Sequence, residues 1–501
     1  MTDNLFQRVR AGIADTSKPF ILPPCGDALS FADCFAIAAR FAHVLVRHGV
    51  QRGDRVAVQV EKSPNALCLY LACLRAGAVY LPLNTGYTPS ELAYFATDAE
   101  PKVFICATRH LEKIATALPP LAFLTLDDDG EGGSLIQEAA AMFADFPDAA
   151  VTMSDLASIL YTSGTTGRSK GAMLTHGNLY FNAETLKDTW RFTANDVLLH
   201  ALPIFHIHGL FVATNVGLVS GASMILLPKF DLDAVFRALP SATVMMGVPT
   251  FYTRLLADPR LDREVTRNVR LFISGSAPLL AETHREWQAR TGHAILERYG
   301  MTETNMNTSN PYDGLRLPGS VGLPLPGVEL RIAGKDGEVL PQGEIGGIEV
   351  RGPNVFKGYW RMPDKTAAEF RADGFFITGD LGRIDEKGYV HILGRDKDMI
   401  ISGGFNVYPK EIESLIDELP GVIETAVIGL PHRDFGEGVT ACIVAAKGAT
   451  LTERGVLDAL ADKLAKFKHP KRVLFVEELP RNTMGKVQKN LIREQFGKLY
   501  S

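Results

Sequence analysis

Residues Tyr161-Thr-Ser-Gly-Thr-Thr-Gly-Arg-Ser-Lys-Gly171 follow an apolar run, 157–161, that predicts a buried strand. A loop rich in glycine and hydroxyl groups can surround phosphate oxygens with N–H and O–H donors, and Lys170 adds a point charge. The stretch differs from a Walker A loop because Ser169 precedes the lysine and Gly171 follows it. The alternative is a flexible surface turn. The stretch therefore predicts a strand that leads into a phosphate-binding loop of another type.

On both sides of this loop, apolar β-branched runs alternate with helical stretches. The helix predicted after Ser63 has a capping serine, Pro64 in its first turn and Gly77 at its end. The runs predicted as strands are 55–60, 79–83, 103–107, 242–246, 269–274 and 294–298. Such alternation favours an α/β architecture with largely parallel, buried sheets.

The pattern changes near residue 317. Residues 317–392 are rich in glycine and proline and contain short strands, which predicts a β-rich subdomain in the form of a distorted barrel. A small α+β unit follows Arg395, with predicted helices at 409–418 and 453–465 and strands at 422–429, 439–446 and 472–476. We place a domain boundary at 394–398, so that residues 1–394 form a large N-terminal domain and 395–501 a small mobile one.

Composition excludes several classes of protein. The 501 residues include 52 Lys and Arg against 57 Asp and Glu, a net charge of −5, which argues against a nucleic-acid or membrane-surface binder. Six scattered cysteines without a C-x-x-C pair fit a reducing compartment, so a cytoplasmic location is expected. The uncharged stretch 209–228 is interpreted as a buried helix, a glycine turn and a strand rather than a membrane span.

Several motifs, taken together and in order, resemble the acyl-adenylate-forming (AMP-binding) superfamily, in its acyl-CoA synthetase branch. They are the loop 161–171, Ala-Leu-Pro-Ile-Phe-His-Ile-His-Gly at 201–209, Gly-Ser-Ala-Pro-Leu at 275–279, Tyr-Gly-Met-Thr-Glu at 299–303, Thr-Gly-Asp at 378–380, Gly-Arg-Asp-Lys-Asp-Met-Ile-Ile-Ser-Gly-Gly at 394–404 and Pro-Arg-Asn-Thr-Met-Gly-Lys at 480–486. Each motif alone is a weak signal. The resemblance spans nearly the whole chain and implies ATP, Mg²⁺ and CoA as ligands.

The resemblance implies a nucleotide site assembled from these motifs. Gly275-Ser-Ala and Tyr299-Gly sandwich the adenine, Thr302 bonds the α-phosphate, and Asp380 and Arg395 bind the ribose or phosphates, with the planar guanidinium suited to this task. The full implied set is Thr162, Ser163, Gly164, Thr165, Thr166, Gly167, Lys170, Gly275, Ser276, Ala277, Tyr299, Gly300, Thr302, Asp380 and Arg395. In isolation, Asp380 would more often be a turn residue.

Two further residues complete the implied catalytic group with Thr302 and His206. Glu303 is expected to hold Mg²⁺, for which a carboxylate is a suitable hard ligand, although alone it could be a solvated residue at a helix start. Lys486 is expected to bridge the acid and the α-phosphate and to stabilise the charge of the first transition state, although a lone lysine in such a loop is usually solvated. A zinc site at His206 and His208 lacks further ligands at recognisable spacing.

The implied reaction has two steps. A carboxylate displaces pyrophosphate from ATP to give an acyl-AMP, and a thiol, expected to be that of CoA, then displaces AMP. Lys397 matches the family's hinge, and rotation about it brings Gly403, Gly404 and Phe405 to the CoA tunnel. The lysine-rich segment 463–472 either favours CoA phosphates or is simply solvated.

The identity of the acid is the most detailed prediction. His206, Arg254, Ser276 and Gly300 are expected to line the acyl pocket, and Arg254 lies one turn after Thr250, so that it can face the pocket or point outward. A guanidinium there would match a second carboxylate. The motifs also resemble malonyl-CoA synthetases, which implies malonate or methylmalonate. The alternatives are another short or medium acid, a carrier protein in place of CoA, a luciferase-like oxygenase, or a nucleotide sensor. The oligomeric state is left open.

Overall fold

The computed structural model describes residues 4–162, 169–482 and 485–500. Its strands, in chain order, are β1 (Pro19–Leu22), β2 (Leu29–Ser30), β3 (Arg55–Gln59), β4 (Val79–Pro82), β5 (Val103–Cys106), β6 (Ala122–Thr125), β7 (Leu156–Thr162), β8 (Lys170–Thr175), β9 (Val197–His200), β10 (Ser223–Leu226), β11 (Val244–Gly247), β12 (Leu271–Ser274), β13 (Leu296–Met301), β14 (Asn305–Ser309), β15 (Leu323–Pro324), β16 (Glu329–Ala333), β17 (Gly346–Arg351), β18 (Phe376–Ile384), β19 (Val390–Arg395), β20 (Ile400–Ser402), β21 (Phe405–Val407), β22 (Val422–His432), β23 (Gly436–Ala445) and β24 (Arg472–Val476).

Helices connect most of these strands. In chain order they are α1 (Leu5–Gly12), α2 (Phe31–Arg47), α3 (Pro64–Ala76), α4 (Pro89–Ala99), α5 (Leu111–Ala117), α6 (Ser134–Ala139), α7 (His176–Thr189), α8 (Asn215–Ser220), α9 (Leu232–Ala238), α10 (Pro249–Leu256), α11 (Ala281–Thr291), α12 (Pro363–Ala368), α13 (Pro409–Asp417), α14 (Glu453–Leu460) and α15 (Lys489–Phe496).

Two large sheets form the core of the N-terminal region. One has the strand order β15-β14-β13-β12-β11-β9-β10-β1-β2 and is parallel from β13 to β1, and the other has the order β6-β5-β3-β4-β7-β8 and is parallel from β6 to β7. The central strands are almost fully buried, as expected for parallel strands covered by helices on both faces. The predicted α/β architecture is confirmed.

The glycine loop joins two antiparallel strands at the edge of the second sheet. Thr162 at the end of β7 pairs with Lys170 at the start of β8, and Tyr161 pairs with Gly171. The predicted loop residues Ser163, Gly164, Thr165, Thr166 and Gly167 lie outside the described residues. The hairpin nevertheless fixes both ends of the loop, and it places Lys170 on a strand rather than on the loop itself.

The local signals near the helices are also confirmed. Ser63 accepts a hydrogen bond from the Ala66 N–H at the start of α3, and Gly77 ends that helix in the left-handed region. The stretch 209–228 forms a π-helical turn, α8, a glycine turn and β10, all largely buried. Within the described ranges, no helix is both long and apolar enough to cross a membrane.

Residues after 317 form an open antiparallel sheet with the order β16-β17-β18-β19. The expected distorted barrel is therefore wrong in its detail: among the described strands, β16 and β19 stay at opposite edges and do not pair. Closure needs many tilted strands, and this segment supplies too few. The β-rich character of the segment is as expected.

The C-terminal region contains a fourth sheet, which has both antiparallel and parallel strand pairs. Its strand order is β21-β20-β23-β22, with β24 parallel to β23, and α13, α14 and α15 accompany it. The last strand of the preceding sheet ends at Arg395 and a short turn of 3-10 helix, Asp396–Asp398, follows it. The proposed domain boundary at 394–398 falls on that turn and stays a prediction.

Candidate active site

Asp380 is held by donors from two directions. It faces Arg395 across the β18–β19 pair, and its Oδ1 lies 2.7 Å from Arg395 Nε. The Tyr299 hydroxyl donates to Asp380 Oδ2. Neighbouring Asp380 raises the pKa of Arg395, so this guanidinium stays charged. Each carboxylate oxygen keeps acceptor capacity beyond these bonds, so Asp380 is fixed in place and can still accept ribose hydroxyls.

Glu303 lies in the tight turn between β13 and β14, next to Thr302. Its side chain is buried, and its Oε1 lies 3.1 Å from the Tyr359 hydroxyl oxygen. Burial raises the pKa of Glu303, although Tyr359, Lys170 and Arg395 partly offset this. Burying an unpaired carboxylate charge costs free energy, and a bound cation offsets this cost. Such a carboxylate is therefore suited to hold Mg²⁺. The residues present therefore fit that ion.

Lys170 lies close to this turn. Its Nζ is 3.2 Å from Glu369 Oε1 and 4.1 Å from the centroid of the Tyr359 ring. The Tyr359 hydroxyl also donates to Glu369 Oε2 at 2.6 Å. Lys170 and Glu303, which the sequence places far apart, thus share one neighbour, Tyr359. Neither Tyr359 nor Glu369 lies in one of the motifs identified from the sequence.

Lys486 reaches the same region from the C-terminal part of the chain. A Cβ placed on the preceding Gly485 would lie 3.7 Å from Thr250 Oγ1, at the start of α10. The Lys486 side chain is exposed to solvent. The protein atoms around it, and then Arg395, lower its pKa, while Asp380 and Glu303 oppose the shift. The structure therefore brings Lys486 together with the predicted nucleotide residues.

His206 is neutral at physiological pH. Burial, then Lys486 and Arg298, lower its pKa to about 3. The His208 N–H donates to His206 Nδ1 at 3.2 Å, so the ring proton belongs on Nε2. Within the described part of the chain, no three His, Cys, Asp or Glu side chains are grouped to hold a metal ion.

His208 supports the loop that follows β12. Its Nδ1 lies 3.2 Å from Ser276 Oγ, and Ser276 has a φ of +72°, an unfavourable conformation for a residue other than glycine. Gly275 and Ala277 flank this residue, and Gly300 lies on the neighbouring strand β13. Gly275, Ser276 and Ala277 thus follow the strand that pairs with the strand carrying Gly300.

Arg298 is a candidate that the sequence analysis missed. It lies on β13, its side chain is 3% exposed, and its Nε and Nη2 atoms are buried without a hydrogen-bond partner in the described structure. Burial lowers its pKa to about 9. A Cβ placed on Gly275 would lie only 2.4 Å from Arg298 Cζ, so the guanidinium rests directly on the Gly275 backbone. The sequence feature that could have identified Arg298 is an arginine within an apolar strand, one residue before Tyr299.

The remaining predicted residues lie elsewhere. Arg254 is exposed on α10, and its role stays a prediction. Lys397 is in the short turn after β19. Gly403 and Gly404 form the tight turn between β20 and β21, where Phe405 is 56% exposed and stacks on Phe467 at 4.7 Å.

Known proteins resemble this chain over most of its length. The family description "AMP-binding enzyme" matches residues 18–360, and "AMP-binding enzyme C-terminal domain" matches residues 411–486. A malonate–CoA ligase of Arabidopsis thaliana is 36% identical, over 89% of this chain and 79% of that protein. An indoleacetate–CoA ligase of Aromatoleum aromaticum is 37% identical, over 93% of each chain.

A solved structure is more similar still. The crystal structure of ATP-bound MatB from Rhodopseudomonas palustris is 62% identical, with a TM-score of 0.98 and complete coverage of both chains. The family matches cover most of the chain, and they confirm the resemblance that its motifs carry. The chain belongs to the AMP-binding enzyme family.

Proposed function

We propose that the chain is an AMP-forming acid–CoA ligase whose acid is malonate. Support comes from family membership, from relatives named as malonate–CoA ligases, and from the similarity to ATP-bound MatB. The observation that carries the choice of acid is the buried guanidinium of Arg298, whose Nε and Nη2 have no hydrogen-bond partner among the described residues. An isolated buried charge is costly, so such a group is suited to a ligand of opposite charge.

In the first step, an acid oxygen attacks the α-phosphorus of ATP, the P–O bond to pyrophosphate breaks, and acyl-AMP forms. Asp380, Arg395 and Tyr299 would hold the nucleoside, and Lys170 would bind the β- and γ-phosphates. Lys486 lies between these groups and the acyl pocket, where a cation stabilises the charge that develops on the reacting oxygens. Glu303 would hold Mg²⁺, which when bound neutralises phosphate charge.

In the second step, the thiol sulfur of CoA attacks the acyl carbonyl, the bond to AMP breaks, and the thiol proton is lost to solvent. Lys486 has no task in this step. Rotation about Lys397 would withdraw Lys486 and present the Gly403–Gly404 turn and Phe405 to the thiol. Most of the catalysis in both steps comes from positioning and from neutralising charge.

Two arginines are candidates for the second carboxylate of the acid, and we assign Arg298 the larger role. Arg254 is exposed, and water screens a pair formed there. Arg298 is enclosed, lies against Gly275, and interacts electrostatically with His206 and Lys486. A monocarboxylic acid would leave the Arg298 charge unpaired, whereas malonate or methylmalonate would pair it. This difference selects against acetate, butyrate and longer fatty acids.

The test is pyrophosphate release with malonate, methylmalonate, butyrate and octanoate, with and without CoA. The wild type should respond to the two dicarboxylic acids, and product should accumulate as a thioester only with CoA. In Arg298→Met, kcat/KM for malonate should fall at least about 100-fold, as when one partner of a buried charge pair is removed. Arg254→Met is the matched control, with an expected loss below about fivefold.

Binding gives an independent readout of the same assignment. With ATP absent, malonate should raise the melting temperature of the wild type and not that of Arg298→Met. The ligand-free variant should melt no lower than the wild type, because an unpaired buried charge has been replaced by an apolar side chain of similar length. Equal use of butyrate and malonate by the wild type, or equal loss of both acids in Arg298→Met, would overturn the choice of acid.

A further inference from the structure

Glu369 lies beside Lys170, the residue expected to bind the nucleotide phosphates. It follows α12, and its backbone carbonyl accepts a hydrogen bond from the Ile377 N–H at 2.8 Å. Its side chain is 19% exposed and lies 3.2 Å from the Nζ of Lys170, which is 12% exposed. The lysine proposed to bind the β- and γ-phosphates is therefore already paired with an anion of the protein.

Tyr359 fixes this pair. Its ring lies 4.1 Å from Lys170 Nζ, and its hydroxyl is 2.6 Å from Glu369 Oε2 and 3.1 Å from Glu303 Oε1. A phenol has one proton and can donate to only one of these carboxylates at a time. The shorter distance favours Glu369, which is thereby held facing the lysine.

A single ammonium group cannot form full ion pairs with a carboxylate and a phosphate that approach it from the same side. Lys170 has three donor hydrogens, but part of its charge is already neutralised by Glu369. Phosphates that approach Lys170 also approach Glu369, and like charges repel more strongly in a partly buried site than in water. Glu369 therefore acts against the binding of ATP and of pyrophosphate, whereas AMP has no phosphates at this position.

We propose that Glu369 is an internal counter-anion that competes with the β- and γ-phosphates for Lys170. It neutralises Lys170 while the site is empty, lowers the affinity for ATP and pyrophosphate relative to AMP, and takes the lysine back as pyrophosphate leaves. The proposal rests on the proposed function only in the role of Lys170 as a phosphate ligand. It does not depend on the identity of the acid or on CoA.

The test is equilibrium binding by calorimetry on the full chain without acid or CoA, with Mg²⁺ held constant. Glu369→Gln keeps the size of the side chain and one acceptor oxygen, and it removes the charge. The affinities for ATP and for pyrophosphate should rise about tenfold, within the range of charge-assisted contacts. The affinity for AMP should stay within about twofold.

Three further variants make the result specific. Lys365→Gln tests the opposite change, because Lys365 Nζ lies 2.7 Å from Glu369 Oε1 and partly neutralises that carboxylate. Its removal leaves Glu369 freer to pair with Lys170, so the ratio of ATP to AMP affinity should fall. Glu369→Asp retains the charge on a shorter side chain and should be intermediate. In a Lys170→Met background, Glu369→Gln should no longer strengthen ATP binding.

An unchanged or weaker ATP affinity in Glu369→Gln would overturn the proposal, and so would an equal change for AMP. A gain that persists in the Lys170→Met background would show that Glu369 repels phosphates without competing for the lysine. If Glu369→Gln does not fold, Glu369→Ala carries the same expectations. A malonate assay that fails while these binding results hold would refute the choice of acid and leave this proposal standing.

Discussion

Lys486 is a cation placed among charges of both signs. Asp380 and Glu303 favour its charged form, whereas Arg395, Arg298 and its enclosure by protein oppose it. We expect Lys486→Ala to lower acyl-AMP formation by at least about 100-fold, because a preorganised charge at the reacting oxygens is lost. Thioester formation from preformed acyl-AMP should be unaffected. Measuring the two half-reactions separately checks this prediction.

Lys447→Ala is the control for this measurement, because Lys447 is an exposed lysine of the same C-terminal region and lies outside the lysine-rich segment 463–472. Both half-reactions should match those of the wild type. Equal losses in both half-reactions for Lys486→Ala would show that the lysine has no special task in the first step.

Single residues show where sequence reasoning succeeds and where it stops. Motifs predicted that Asp380, Arg395, Glu303 and Lys486 would be neighbours, because each lies within several residues of fixed spacing and type. Arg298 had no such signal, since one arginine in a strand is ordinary until its burial and its lack of partners are known. The pairing of Lys170 with Glu369 also needed the fold, because 199 positions separate them.

At the scale of elements, the β20–β21 hairpin depends on its two glycines. Gly403 and Gly404 have φ values of +60° and +82°, which suit a two-residue turn of this kind. A Cβ at Gly404 meets nothing within 4 Å, so Gly404→Ala costs only backbone strain, about 1–2 kcal/mol. A cost of this size lowers the population of the native turn about 5- to 30-fold, so we expect thioester formation to fall by about the same factor, with ATP–pyrophosphate exchange unchanged.

Gly448→Ala provides a control of equal strain in the same region. Gly448 has a φ of +85°, and a Cβ at this position would also meet nothing within 4 Å. The substitution should lower the melting temperature about as much as Gly404→Ala and leave both half-reactions intact. Loss of the exchange reaction in Gly404→Ala alone would place the hairpin in the first step instead.

The sequence predicted the presence of helices and strands better than it predicted where each one ends or whether a sheet closes into a barrel. Apolar runs identified the parallel strands, but β13 extends to Met301, beyond the predicted 294–298, because pairing with β14 continues it. The helix predicted at 453–465 ends at Leu460. The expected barrel is an open sheet, because which strands meet at an edge depends on contacts distant in sequence.

At the scale of the whole molecule, a change between the two steps needs a pivot. The contacts across the two regions include Arg285 and Glu418, which are 3.9 Å apart and both exposed, and such pairs contribute little. Lys397 lies in the first turn of a short helix, a position that tolerates proline. We expect Lys397→Pro to keep acyl-AMP formation and to lower thioester formation at least about tenfold, because φ at the pivot is fixed.

Lys397→Ala removes the same side chain without restricting the backbone, so it should retain both half-reactions. Rapid-quench measurement of acyl-AMP and thioester from one reaction separates the two steps. A Lys397→Pro enzyme with normal thioester formation would show that the pivot lies elsewhere.

The contact between Gly275 and Arg298 restricts how this protein could acquire a new acid. Any side chain at position 275 would collide with the guanidinium, since its Cβ would come within 2.4 Å of Arg298 Cζ. An evolutionary path, or an engineering campaign, must therefore shorten or remove the arginine before it enlarges the glycine. Libraries that vary one of the two positions at a time would miss variants that are functional only when both residues are changed.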